Sequence, residues 1–121
     1  MKVKIIGIKS KDEFFKDTHD FLAKLDKGGK ARKSEGVYFD SLETLRRVLT
    51  PKRLEIIRII RKEKPVSIYA LAKKLGRNLK NVTQDLGYLE NVGLVELKKT
   101  HGSRGLKPLA DYDKIQFEIA V

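Results

Sequence analysis

SIYALAKKLGRNLKNVTQDLGYLENVG, residues 67–93, spells two short helices joined by a tight turn. Ser67 is a good helix N-cap, and Ile68, Leu71, Ala72 and Leu75 follow it at the spacing of one buried face. Gly76 supplies the turn, Asn78 can cap the second helix, and Val82 is a branched apolar anchor upon it. A small residue at the helix crossing, a glycine between the helices and an apolar anchor beyond form the pattern of a helix-turn-helix, whose second helix enters the major groove of DNA. A basic, hairpin-like stretch follows directly, so the spacing predicts an α+β fold, a winged helix-turn-helix with a three-helix core and a β-wing.

With Val82 at the centre of the inner face and about 100° per residue, Leu79, Leu86 and Leu89 also turn inward. The opposite face carries Arg77 at its start, then Lys80, Asn81, Gln84, Gly87 and Tyr88, with Thr83 to one side. Arg and Lys suit guanine O6 and N7, and Asn and Gln can pair with adenine N6 and N7, so this face has the chemistry to read a major groove. The chain has three Asn and two Gln, and four of these five (Asn78, Asn81, Gln84 and Asn91) fall in this helix or at its ends. Asn78 and Asn91 have capping duties; Asn81 and Gln84 have none, which points them at base or phosphate rather than plain solvent. Gly87 weakens a helix by about 1 kcal/mol relative to alanine, which either a packing neighbour or a close approach to phosphate would justify. Asp85 lies beside the buried face, where an internal ion pair with Lys or Arg is expected, since an unpaired carboxylate facing phosphates would oppose binding.

The wing is expected over Lys98, Lys99, Thr100, His101, Gly102, Ser103, Arg104, Gly105 and Lys107, with four cations and no acid. Elsewhere such a run is a solvated loop. Here it follows a helix-turn-helix by one short strand, where a wing touches backbone or minor groove, and Arg104 between Ser103 and Gly105 is the candidate for insertion. The candidate DNA contacts are Ser67, Arg77, Asn78, Lys80, Asn81, Thr83, Gln84, Tyr88, Lys98, Lys99, His101, Arg104 and Lys107.

Upstream, Pro51 to about Glu63 carries Leu54, Ile56, Ile57, Ile59 and Ile60, too many aliphatics for a one-sided surface helix, and is the expected core helix, capped by Thr50 with proline at its first position. Asp40 with Glu43 can cap a shorter helix over about Ser41 to Leu49, preceded by an extended Val37-Tyr38-Phe39. KVKIIGI (2–8) reads as a strand, Ser10 to Leu25 as an amphipathic helix with Phe14, Phe21 and Leu22 on one side, and KGGKARKSEG (27–36) as a linker. Residues 1–34 therefore form a strand-helix extension, a candidate dimerisation element, and 35–121 the winged helix-turn-helix with a C-terminal strand. Leu94, Val95 and Leu97 read as a strand, Lys98 to Lys107 as a loop. Ile115, Phe117, Ile119 and Val121 alternate as a last strand, which can pair with Lys2 to Ile8 within the chain or across a dimer.

Charge agrees with a polyanionic partner. Lys and Arg total 27 against 16 Asp and Glu, a formal +11, with a pI near 9.9. No apolar run approaches the ~20 residues of a membrane span, and the N-terminus turns polar too soon for a signal peptide, so a cytoplasmic, nucleoid-associated protein with no membrane partner is expected. Without cysteine there is no disulfide, thiol nucleophile or Cys-rich metal site, and His19 and His101 are too far apart in sequence to suggest a paired one. No Walker loop, HExxH or GxSxG is present, so neither enzyme chemistry nor a cofactor is expected. A charged fraction of 36% with a single Met hints at a hot environment.

LTPKRLEIIRIIRKEKPVSIYALAKKLGRNLKNVTQDLGYLENVGLVE (49–96) resembles the winged-helix core of MarR-like transcriptional regulators of prokaryotes, chiefly archaea. The resemblance spans roughly residues 36–118 and is strongest over LTPKR, SIYALAKKLGR and NVTQDLGYLENVGLVE. It implies a homodimer on double-stranded DNA, with 79–92 as recognition helix and 98–107 as wing. Some such relatives accompany toxin–antitoxin modules, so an antitoxin that docks a small protein partner through Phe14, Phe15, Phe21 and Leu25 is an alternative. A low-specificity nucleoid or RNA binder driven by charge is another. The first 34 residues do not resemble a ligand-binding domain, so the resemblance implies no small-molecule effector.

Overall fold

The computed structural model describes residues 2–8, 36–99 and 105–120. The helix expected over Ser10 to Leu25, its linker, and Thr100 to Arg104 with the candidates His101 and Arg104 lie outside those residues. The chain is a mixed α+β protein in which a parallel sheet backs a group of helices and a separate hairpin follows them.

The sheet has the order β2-β1-β5, from β1 (Val3–Ile8), β2 (Gly36–Phe39) and β5 (Lys114–Ile119), and all its pairings are parallel. The last strand thus pairs with the first within the chain, Ile6 opposite Phe117 on one side and Val37 on the other. Side chains alternate between faces, so Ile6, Val37 and Phe39 share the face turned to the helices and are buried there. On the other face the Tyr38 ring lies flat over Gly7 and Gly36, where an added Cβ would stand 2.7 and 2.8 Å from it. Of the expected 1–34 extension the described part is therefore the central strand, held between elements assigned to 35–121. Arg61 and the backbone N–H of Lys2 both bond the Asp113 carboxyl, holding it below the usual carboxylate range and anchoring the start of β5.

Helix α1 (Leu42–Val48) is capped by Ser41, whose Oγ accepts from the Thr44 N–H at 3.2 Å, and not by Asp40 as expected. Asp40 sits in the bend that leaves β2; Ser41, one residue on, has the extended backbone an N-cap needs. Thr50 caps α2 (Pro51–Glu63) in the expected way, with Pro51 first, and Lys64 closes the helix in the left-handed region. Ile56, Ile57 and Ile60 of α2 are buried, with Leu54 and Ile59 at the margin.

Ser67 caps α3 (Ile68–Leu75), its Oγ accepting from the Ala70 N–H at 3.0 Å. Gly76 follows with φ 64°, a conformation that strains other residues, and the N–H groups of Gly76 and Arg77 satisfy the last carbonyls of α3. Helix α4 (Leu79–Asn91) then starts on Asn78, whose Oδ1 accepts from the Lys80 N–H at 2.8 Å. The hairpin consists of β3 (Glu96–Lys99) and β4 (Leu106–Leu109), antiparallel. Leu94 and Val95, expected in the strand, lie just before it in the core, and Leu106 and Lys107, expected in a loop, belong to β4.

Candidate nucleic-acid interface

Val82, Leu86 and Leu89 have no exposed surface, and Leu71 and Ala72 of α3 are buried in the same core. Burying three such side chains contributes roughly 5 to 9 kcal/mol, so the rotation of α4 about its axis is well determined. Lys80, Asn81, Thr83, Gln84, Gly87 and Tyr88 are accordingly exposed. The Thr83 hydroxyl bonds back to the Leu79 carbonyl at 2.7 Å, while Lys80, Asn81 and Gln84 carry no bond of that kind among the described residues. Around Gly87 an added Cβ would meet nothing within 4 Å, which removes a packing neighbour as the reason for glycine there.

Leu79 departs from expectation, being 46% exposed where its helical angle puts it inside. The angle names a face, but Leu79 stands in the first turn, at the end of the helix rather than over the core.

Beneath the exposed face lies a charge cluster. One oxygen of Asp85 takes the Arg53 Nε–H at 3.1 Å and the other takes Arg77 Nη2 at 2.7 Å, with all three side chains largely buried. The internal ion pair expected for Asp85 is thus present, and one of its partners is the candidate contact Arg77. The Arg77 Nη1 is buried without a hydrogen bond among the described residues. Its guanidinium is committed inward, and the outward cations of this face begin at Lys80.

Arg53 is not among the site residues that the sequence singles out. It donates to the carbonyls of Arg47 and Val48 at 2.7 and 2.9 Å, closing α1, and its guanidinium stacks 4.2 Å from the centre of the Tyr88 ring. One side chain therefore ties α1 and α2 to α4 and fixes the angle of Tyr88. The available signal is Asp85 itself, whose lateral position requires a cation from another element.

In the hairpin Lys98 stands directly opposite Lys107, and Lys99 opposite Leu106. Like charges facing across two strands repel, and Glu96, 3.9 Å from Lys98, offsets little of it at an exposed site. A polyanion laid along the hairpin would neutralise both lysines. Ser67 spends its hydroxyl as a cap, so what it offers a ligand is its place at the start of α3. Arg77, Asn78, Lys80, Asn81, Thr83, Gln84 and Tyr88 thus converge on α4 and its approach, and Lys98, Lys99 and Lys107 on the hairpin.

No helix among the described residues is long and apolar enough to cross a membrane. No curated protein matches the chain. Residues 48–117, more than half of the chain and the whole of the α2–β4 unit, match the HVO_A0114 family, to which the chain therefore belongs.

Proposed function

We propose that this protein is a sequence-specific, double-stranded DNA-binding transcriptional regulator, a winged helix-turn-helix of the MarR-like kind acting as a homodimer. Helices α3 and α4 are its helix-turn-helix, α4 lies in the major groove, and β3–β4 is the wing on backbone or minor groove. One observation carries this: Lys80, Asn81 and Gln84 stand exposed on a helix whose Val82, Leu86 and Leu89 are fully buried. Base-reading amides and a cation are thereby held on a rigid support, which is what direct readout requires. The formal charge of +11 supplies the sequence-independent attraction.

The facing Lys98 and Lys107 favour a second reading, a charge-driven binder with little sequence preference. Selection of bound sequences from a random duplex pool at near-physiological salt separates the two. Enrichment of a two-fold symmetric site supports the regulator; a pool that stays random after several rounds refutes it in favour of the second.

A further inference from the structure

We propose that the free edge of β5 is the homodimer interface, where two copies join antiparallel in the register centred on Gln116. This rests on the reading of the chain as a dimeric DNA binder, and it names the surface and register.

Among the described residues β5 ends the sheet, with no strand beyond it. Sheet edges are ordinarily blunted by a central charge, a proline or a bulge, because their unpaired N–H and C=O groups template further pairing. KIQFEI has none of these in its middle. Phe117 and Ile119 are 57% and 58% exposed, in line with Ile115 on one face. Apolar grooves open on both sides of Phe117, one of about 570 Å³ that includes Leu54 and Ile57, the other of about 290 Å³ that includes Leu42 and Ile8.

The charges select the occupant. A two-fold axis through an edge requires antiparallel strands and makes every contact occur twice. Setting Gln116 against Gln116 of the partner subunit puts Lys114 opposite Glu118 of the partner subunit, and Ile115 opposite Phe117 of the partner subunit. Both lysines then meet both glutamates on one face, and both aromatic-aliphatic pairs form on the other. Centring on Phe117 instead would face Lys114 with alanine, and centring on Ile115 would face it with glutamine, so only the Gln116 register matches charge with charge. The product is a continuous six-stranded sheet, β2-β1-β5-β5-β1-β2, across the two-fold axis.

The test is charge reversal on the full chain, read by sedimentation velocity at low salt. Lys114→Glu makes both facing pairs acidic and Glu118→Lys makes both basic, so each variant alone should dimerise about tenfold or more weakly than wild type. An equimolar mixture, and the double variant K114E/E118K, should recover wild-type dimerisation. Both side chains are exposed, and circular dichroism with thermal melting verifies that each variant is folded. A wild type that stays monomeric, or reversals that leave the dimer unchanged, overturns the proposal. A monomer that still selects a specific DNA site would sink this interface and spare DNA recognition, whereas an edge dimer indifferent to DNA sequence would do the reverse.

Discussion

The carboxylate of Asp85 on α4 accepts the Nε–H of Arg53 on α2 at 3.1 Å, so the helix that presents the polar face is fastened to the core by charge as well as by packing. Arg77 occupies the other oxygen, and Asp85 is the acid holding two largely buried guanidiniums. Removing it leaves two cations to repel each other out of water. Asp85→Ala is expected to cost about 2 to 4 kcal/mol in urea unfolding, more than a surface pair would. For the same reason Arg77→Ala should lower stability while leaving the salt dependence of DNA binding nearly unchanged. A drop in that slope worth one full phosphate, with stability intact, would show that Arg77 leaves Asp85 to meet the backbone.

Asn81 and Gln84 are expected to behave in the opposite way. Both are exposed and neither holds the fold, so alanine at either should leave the unfolding free energy within about 0.5 kcal/mol of wild type. On the selected duplex each should cost about 1 to 3 kcal/mol, and on random duplex much less. Titration of both duplexes by fluorescence anisotropy decides it: equal losses on the two would assign the amides to the backbone.

What the chain discloses in advance is local. Ser67, Thr50 and Asn78 cap because their side chains reach an N–H two or three residues on, and Gly76 turns because it adopts a positive φ; such rules need only neighbouring residues. The inward set Val82, Leu86 and Leu89 follows from periodicity for the same reason. Distant pairings are less legible. The β1–β5 pairing joins Ile6 to Phe117, and alternation alone leaves it open whether that pairing lies within the chain or across a dimer. Arg53 looks like one more helix cation until α1, α2 and α4 converge on it. Arg77 reads as an outward contact because a helical wheel does not show Asp85 reclaiming it from the turn.

Gly87 offers a test in which stability and binding should part. With open space where its Cβ would be, Gly87→Ala is expected to stabilise the helix by about 1 kcal/mol. If the backbone there approaches a phosphate, the added methyl should also weaken DNA binding several-fold. A variant that is more stable and binds DNA undiminished would show that nothing comes close to the helix at this point.

Lys98 and Lys107 pose the same question for the hairpin. Since they oppose each other in register, replacing either with alanine relieves repulsion, and the unliganded protein should be no less stable, or slightly more so. DNA binding should weaken alike on all sequences, and the slope of log K against log salt should become shallower by about 0.9 for each phosphate no longer neutralised. A slope equal to wild type in both variants would mean that the hairpin is idle.

Tyr112 makes stability depend on pH in the alkaline range. Its ring is buried, its hydroxyl donates to the Leu94 carbonyl at 2.8 Å, and burial pushes its pKa from 10.0 to about 12. The unfolded chain releases this proton near pH 10 while the folded chain retains it, so the contribution is complete below pH 10 and is lost as pH rises toward 12. The loss should approach roughly 2 kcal/mol over that interval. Tyr112→Phe removes the ionisable group and leaves the Leu94 carbonyl unbonded, costing about 1 kcal/mol at neutral pH. Urea unfolding of both proteins between pH 7 and 11.5 should therefore show a gap that closes, and then reverses, as wild type loses its advantage. Curves that stay parallel throughout would mean that the hydroxyl ionises as freely in the folded protein as in the unfolded chain.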